Sequence, residues 1–175
     1  MKRKIAILLM TGICLMHTVP CFASQSSMVR VSNSEETQYT TLPDVDTLQK
    51  DVGFKPKVPE TLAGGYQFNS GYITELFDLD TNGTQINKHK GIDFQYIKKD
   101  NNTIKSVSLS AEPASGQPLT QDATIIKYGE IDLYYGTVQA NSLSWINGDV
   151  CYSLMDINKN VSKDEMVAMA KDMID

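Results

Sequence analysis

Strict alternation of apolar and polar positions, the mark of a strand buried on one side, runs through the middle and end of this chain. Ile92, Phe94 and Tyr96 alternate with Asp93 and Gln95, and Val107, Leu109 and Ala111 alternate with Ser106, Ser108 and Ser110. Asp100-Asn101-Asn102 between these runs is turn chemistry, so they read as a hairpin. Tyr66-Gln67-Phe68, entered through Gly64-Gly65, is the expected first strand. Further strands are expected around 123–127 and 131–138, beyond a loop from Pro113 to Pro118.

The last hairpin carries the strongest local signal. Asn147-Gly148 separates two alternating runs, and both residues tolerate the positive φ that tight hairpin turns demand. Counting outward from that pair sets Ile146 opposite Asp149, Trp145 opposite Val150 and Leu143 opposite Tyr152. Leu143, Trp145, Val150, Tyr152 and Leu154 then share one face, with Ser142, Ser144, Asp149, Cys151 and Ser153 on the other. Such a sheet is expected to be covered on its apolar side only. The cover is a C-terminal helix: Ser162-Lys163-Asp164-Glu165 is a capping box with a Val161/Met166 staple. Met166, Met169, Ala170, Met173 and Ile174 then recur at helical spacing. A shorter helix over Val45–Asp51 is capped by Asp44 and puts Val45, Leu48 and Val52 on one side. The prolines of Phe54-Lys55-Pro56-Lys57-Val58-Pro59 force that stretch to be extended. The expected fold is α+β: an antiparallel sheet of about six strands, with the short N-terminal helix and the amphipathic C-terminal helix packed on one face.

The N-terminus follows a different pattern. Lys2, Arg3 and Lys4 precede an apolar run from Ile5 to Met16, then Pro20 and Cys21-Phe22-Ala23. This is the three-zone plan of a secretory signal peptide cleaved before Ser24. An apolar run of about 12 residues falls short of the roughly 20 that span a bilayer. Lipidation at Cys21 is disfavoured by Pro20 before it and Thr18 at its −3 position. Residues 24–41, polar and Ser/Thr-rich, read as a flexible leader. The organisation expected is therefore a signal peptide over 1–23, a leader over 24–41 and a single domain over 42–175.

Cleavage changes the bulk properties. It removes three of the 16 basic residues and none of the 21 acidic ones, so 152 residues remain with a net charge of −8 instead of −5. An acidic chain without a basic patch does not suit nucleic acid or an anionic membrane. Two of the three cysteines, Cys14 and Cys21, also leave with the signal. Cys151 is then the lone cysteine, and no internal disulfide is expected.

Two terminal signatures resemble a known family. Asp51-Val52-Gly53-Phe54-Lys55-Pro56-Lys57-Val58-Pro59, continuing to Gly65-Tyr66, is similar to the opening of the bacterial domain of unknown function DUF4367. Ser144-Trp145-Ile146-Asn147-Gly148 and Tyr152-Ser153-Leu154, followed by Val161-Ser162-Lys163-Asp164-Glu165-Met166, are similar to its ending. The resemblance spans roughly residues 44–175. Where the family pattern has Pro-Glu-Gly before the tyrosine, this chain has Ala63-Gly64-Gly65. The resemblance implies a Gram-positive cell-envelope domain, similar in shape to lipoprotein-carrier and sigma-regulator sensor domains. It supplies no catalytic residues.

Asp78, Asp80 and Asn82, with Gly83, match the first half of an EF-hand loop, making them candidate calcium ligands. The second half fails, since His89 stands where a bidentate Glu is needed. His89 is the only histidine after cleavage and lies between Lys88 and Lys90, which reads as solvated loop. Cys151 lies mid-strand without a neighbouring base, so it reads as a small strand residue. Glu75, Asp78, Asp93, Glu130 and Asp132 are carboxylates of the type a glycosidase pairs. Tyr128, Tyr134 and Tyr135 offer an aromatic cluster for sugar or peptide.

The expected function is a secreted or envelope-associated, non-catalytic binding or sensing module. Its ligand is expected to be an envelope protein, peptide or lipid-like molecule, and the domain a monomer without a cofactor. The alternatives are a secreted hydrolase with an unrecognised active site and a calcium-stabilised adhesion or scaffold domain.

Overall fold

A computed structural model describes residues 30–80, 82–100, 103–114 and 123–175, with side chains from residue 38 onward. The expected signal peptide lies outside the described residues. So does the 24–29 stretch of the expected leader.

The chain is α+β and mostly antiparallel sheet. Its elements are β1 (Arg30–Tyr39), α1 (Val45–Val52), β2 (Thr61–Leu62), β3 (Tyr66–Leu79), β4 (Gln85–Asp100), β5 (Thr103–Pro113), β6 (Thr124–Tyr128), β7 (Ile131–Gly136), β8 (Asn141–Asn147), β9 (Val150–Asp156) and α2 (Lys163–Ile174). The sheet runs β1-β3-β4-β5-β9-β8-β7-β6, with β2 paired to β3. Nine strands among the described residues exceed the six expected. The strands with no counterpart among the alternating runs are β1, inside the segment read as leader, and the two-residue β2.

One face of the sheet holds the core. Phe94, Tyr96, Leu109, Leu143, Trp145 and Leu154 are fully buried there. Met166, Met169, Ala170 and Met173 of α2 close over them, as the helical spacing requires. Ser162 and Glu165 form the expected capping box, with Ser162 N–H donating to Glu165 Oε2 at 2.9 Å and Glu165 N–H to Ser162 Oγ at 3.3 Å. α1 is capped by Asp44, whose Oδ1 accepts from the amides of Asp46 and Thr47. Those amide bonds, that of Thr47 foremost, hold the Asp44 carboxyl below its usual range. Leu48 and Val52 face the core, but Val45 is 41 % exposed, because it occupies the first turn beyond the edge of the core.

The extended stretch Phe54–Pro59 is tied to the same face by two tyrosines. Tyr96 Oη donates to the carbonyl of Pro59 at 2.6 Å, and Tyr152 Oη accepts the amide of Lys57 at 2.9 Å. Trp145 stacks on Tyr152 at 5.3 Å. The two terminal signatures thus meet in space, which gives them a structural purpose.

The last hairpin departs from expectation in register. Asn147 pairs with Val150, Ile146 with Cys151 and Trp145 with Tyr152, so the turn residues are Gly148 and Asp149. Only Gly148 has positive φ, at 63°. That is the pattern of a type II′ turn, which needs glycine at its first central position and nothing special at its second. Moving a two-residue turn by one position displaces each partner by two, which keeps every side chain on its expected face.

Candidate functional site

The face away from the helices has its own order. Cross-strand pairing lines up Tyr72 (β3), Asp93 (β4), Ser110 (β5), Ser153 (β9), Ser144 (β8) and Tyr134 (β7) in one row. Six strands at about 4.8 Å spacing make that row roughly 24 Å long. A second row beside it runs Gln95, Ser108, Met155 and Ser142. On the other side Gly91 precedes Asp93 on its strand. A Cβ there would approach Ala111 O at 3.0 Å and Leu76 Cδ1 at 3.1 Å, so β4 carries no side chain at that point. Hydroxymethyl groups between two tyrosines make a shallow trough, and the space over Gly91 is filled by the Leu76 and Thr74 side chains.

The trough is less open than one-sided cover would leave it. Ser142, Ser144 and Cys151 are 4 %, 2 % and 1 % exposed. Cys151 is also disulfide-bonded, with its partner outside the described residues. The lone cysteine expected above applied to a chain cleaved before Ser24, whereas the structure is that of the whole chain.

Two polar groups stand out in the row. Ser153 Oγ is buried without a hydrogen-bond partner. The Asp93 carboxyl is withdrawn from water, and that desolvation alone pushes its pKa up to about 6. On the same face Glu112 of β5 and His89 of β4 contact each other at 3.0 Å (His89 Nε2 to Glu112 Oε2). Lys90 faces the opposite way, across from Glu75. Tyr72, directly across from Asp93, is 38 % exposed.

The residues singled out from sequence are dispersed. Asp78, Asp80 and Asn82 lie at the tip of the β3–β4 hairpin. Asp80 Oδ1 accepts the amides of Asn82 and Thr84, each at 2.8 Å, and Asp78 Oδ2 accepts from Asn87 Nδ2 at 3.0 Å. These carboxylates brace a turn between two strands rather than a helix–loop–helix. No cluster of three or more His, Cys, Asp or Glu placed to hold a metal occurs among the described residues.

Of the remaining carboxylates, Asp132 contacts Lys127 at 2.6 Å and Glu130 occupies the β6–β7 turn, several strands from Asp93. The three tyrosines divide between the faces. Tyr128 donates to Asp175 at 2.8 Å beneath Lys171, and Lys163 lies over Tyr135, so both belong to the α2 side. Tyr134 alone joins the serine row.

Alternation along β4 puts Asp93 on the polar side of its strand but does not link it to the serines of the last hairpin. That placement depends on β9 pairing with β5, a contact between distant segments. No protein-family model matches the chain, and no match is found among curated proteins or solved structures. No helix among the described residues is long and apolar enough to cross a membrane.

Proposed function

We propose that this chain is an exported, non-catalytic binding or sensing module of the bacterial cell envelope, of the DUF4367 type, and that the serine-rich trough is its ligand face. The observation that carries this reading is Ser153 Oγ, buried in the row without a hydrogen-bond partner. A buried polar group without a partner costs about 1–3 kcal/mol. Such a cost persists in native proteins where a ligand later supplies the missing hydrogen bond. The helix side of the sheet, by contrast, is filled by α2 and the Phe54–Pro59 stretch.

The export signal and the two terminal signatures support the envelope assignment. The test is retention of envelope material by the immobilised chain, compared with Ser110→Trp, which fills the trough, and Lys163→Ala on the helix side. Loss with Ser110→Trp alone supports the reading. Equal retention by all three, or loss with Lys163→Ala alone, overturns it.

A further inference from the structure

We propose that His89 is a pH-sensitive latch on the β3–β4 hairpin: as an imidazolium it ties an irregular point of β4 to the Glu112 carboxylate of β5, and as a neutral ring it releases one of the two. The latch works whatever ligand the serine row takes.

Hydrogen-bond polarity fixes the charge. His89 Nδ1 stands 2.8 Å from the carbonyl oxygen of Asn87, and its Nε2 stands 3.0 Å from Glu112 Oε2. A carbonyl oxygen and an ionised carboxylate only accept, so both ring nitrogens must donate. A neutral imidazole has one N–H and one lone pair, and only the imidazolium has two N–H groups. In the neutral ring, therefore, one of these contacts sets a lone pair against a lone pair. The proton between ring and carboxylate resides on the ring, whose ordinary pKa of about 6.5 exceeds the roughly 4.3 of a Glu carboxyl. Both side chains are largely covered, 23 % exposed for His89 and 14 % for Glu112, which leaves water a poor substitute for either bond.

The charges around the ring are divided. Glu112 is in contact with it. Asp78 of β3 acts at one remove, since its Oδ2 accepts from Asn87 Nδ2 at 3.0 Å. Asp149 lies in the β8–β9 turn, where its carbonyl accepts the Ala114 amide just past the end of β5. Asp93 is four residues further along β4. Lys88 and Lys90 adjoin His89 in sequence and oppose its charge, but Lys88 is exposed and Lys90 faces the other way, across from Glu75. The contacting carboxylate outweighs both, because Coulomb energy falls with distance and solvent screens exposed charges.

The ring also holds an irregular place in the sheet. Between the Leu76–His89 and Asp78–Ile86 pairs, Asn87 and Lys88 of β4 oppose only Phe77 of β3. Two residues against one is a bulge, and Asn87 takes a positive φ of 53° within it. His89 Nδ1 secures that residue at its carbonyl, and Asp78 Oδ2 secures it at its side-chain amide. Contact with Glu112 raises the folded-state midpoint of His89 above its unfolded value. The latch thus contributes its stability in full below the unfolded value and loses it as pH rises through the folded one. The outer part of the β3–β4 hairpin then loosens on the alkaline side.

The test is a nitrogen-resolved NMR titration of the whole chain from pH 5 to 9, with His89→Gln separating the His89 signals from those of His17. Both ring nitrogens of His89 are expected to show imidazolium shifts at pH 6.5. Its titration midpoint is expected about one unit above the ordinary value of about 6.5, and Glu112→Gln is expected to remove most of that rise. Hydrogen exchange of the amides of residues 76–79 and 85–88, corrected for intrinsic rate, is expected to quicken severalfold across the same midpoint. His89→Gln is expected to show no such step. A midpoint at or below 6.5, an unchanged midpoint in Glu112→Gln, or exchange that ignores the transition overturns the proposal. If His89→Gln fails to fold, the parent and Glu112→Gln titrations decide the matter on their own.

Discussion

Replacing Asp93 by Asn should stabilise the protein at neutral pH, and the gain should vanish in acid. Burial raises the folded-state pKa of this carboxyl to about 6 from its ordinary 3.8. The folded state therefore binds the proton more tightly than the unfolded chain does. Between those two values the native state carries more protons, so stability falls as pH rises. At about 1.4 kcal/mol per pKa unit, the loss from pH 3.5 to pH 7 is roughly 3 kcal/mol. For a chain of this size that corresponds to about 6–12 °C in melting temperature.

Asn is nearly isosteric and carries no charge, so the variant escapes the penalty. Thermal melts of both proteins from pH 3.5 to 7.5 check this. The two curves should nearly coincide at the acid end and separate steadily above pH 4, with Asp93→Asn the more stable. A constant offset across the range, or a variant less stable than the parent at pH 7, would refute the claim that desolvation alone raises the Asp93 carboxyl.

Other consequences follow from single contacts. Asp156, 1 % exposed, accepts the amide of Val161 at 2.5 Å and that of Asn158 at 3.0 Å, setting the chain's entry into α2. Asp156→Ala orphans both donors and should cost about 2–4 kcal/mol by chemical denaturation. Gly71 lies under the Phe94 ring, where a Cβ would meet ring carbons at 2.4 and 2.6 Å. Gly71→Ala should therefore destabilise by about 1–3 kcal/mol through overpacking, in the same assay. At the hairpin tip, Asp80→Ala removes the acceptor for two amides, and its melting temperature should drop equally with and without added calcium. A calcium-dependent difference would instead favour a bound ion.

Local chemistry made the helices and the last hairpin legible. Asp44 and Ser162 are caps whose side chains reach a few residues along the chain, and the faces of β8 and β9 follow from alternation. The turn position was misjudged because Asn147-Gly148 satisfies a type I′ pattern as readily as Gly148-Asp149 satisfies II′. Strand β3 was recognised only over its first three residues. Bulge-like register breaks at Phe68/Ser70 and Leu76/Asp78 interrupt its period of two, and Gly71 supplies no apolar side chain to an inward position. Strand β1 was invisible because a polar edge strand has the composition of a linker. Half of the candidate site was legible as the polar sides of separate strands. Its assembly was not, because the β5–β9 pairing that sets Asp93 in line with Ser153 and Ser144 joins segments some 40 residues apart.

The most direct measurement of the ligand face is amide-resolved chemical-shift mapping of the chain titrated with the envelope fraction that it retains. The account predicts a continuous band of shifts along Tyr72, Asp93, Ser110, Ser153 and Ser144, fading toward Tyr134, with the α2 amides unmoved. Shifts centred on α2 and the Phe54–Pro59 stretch, or no shifts at saturating concentration, would contradict it.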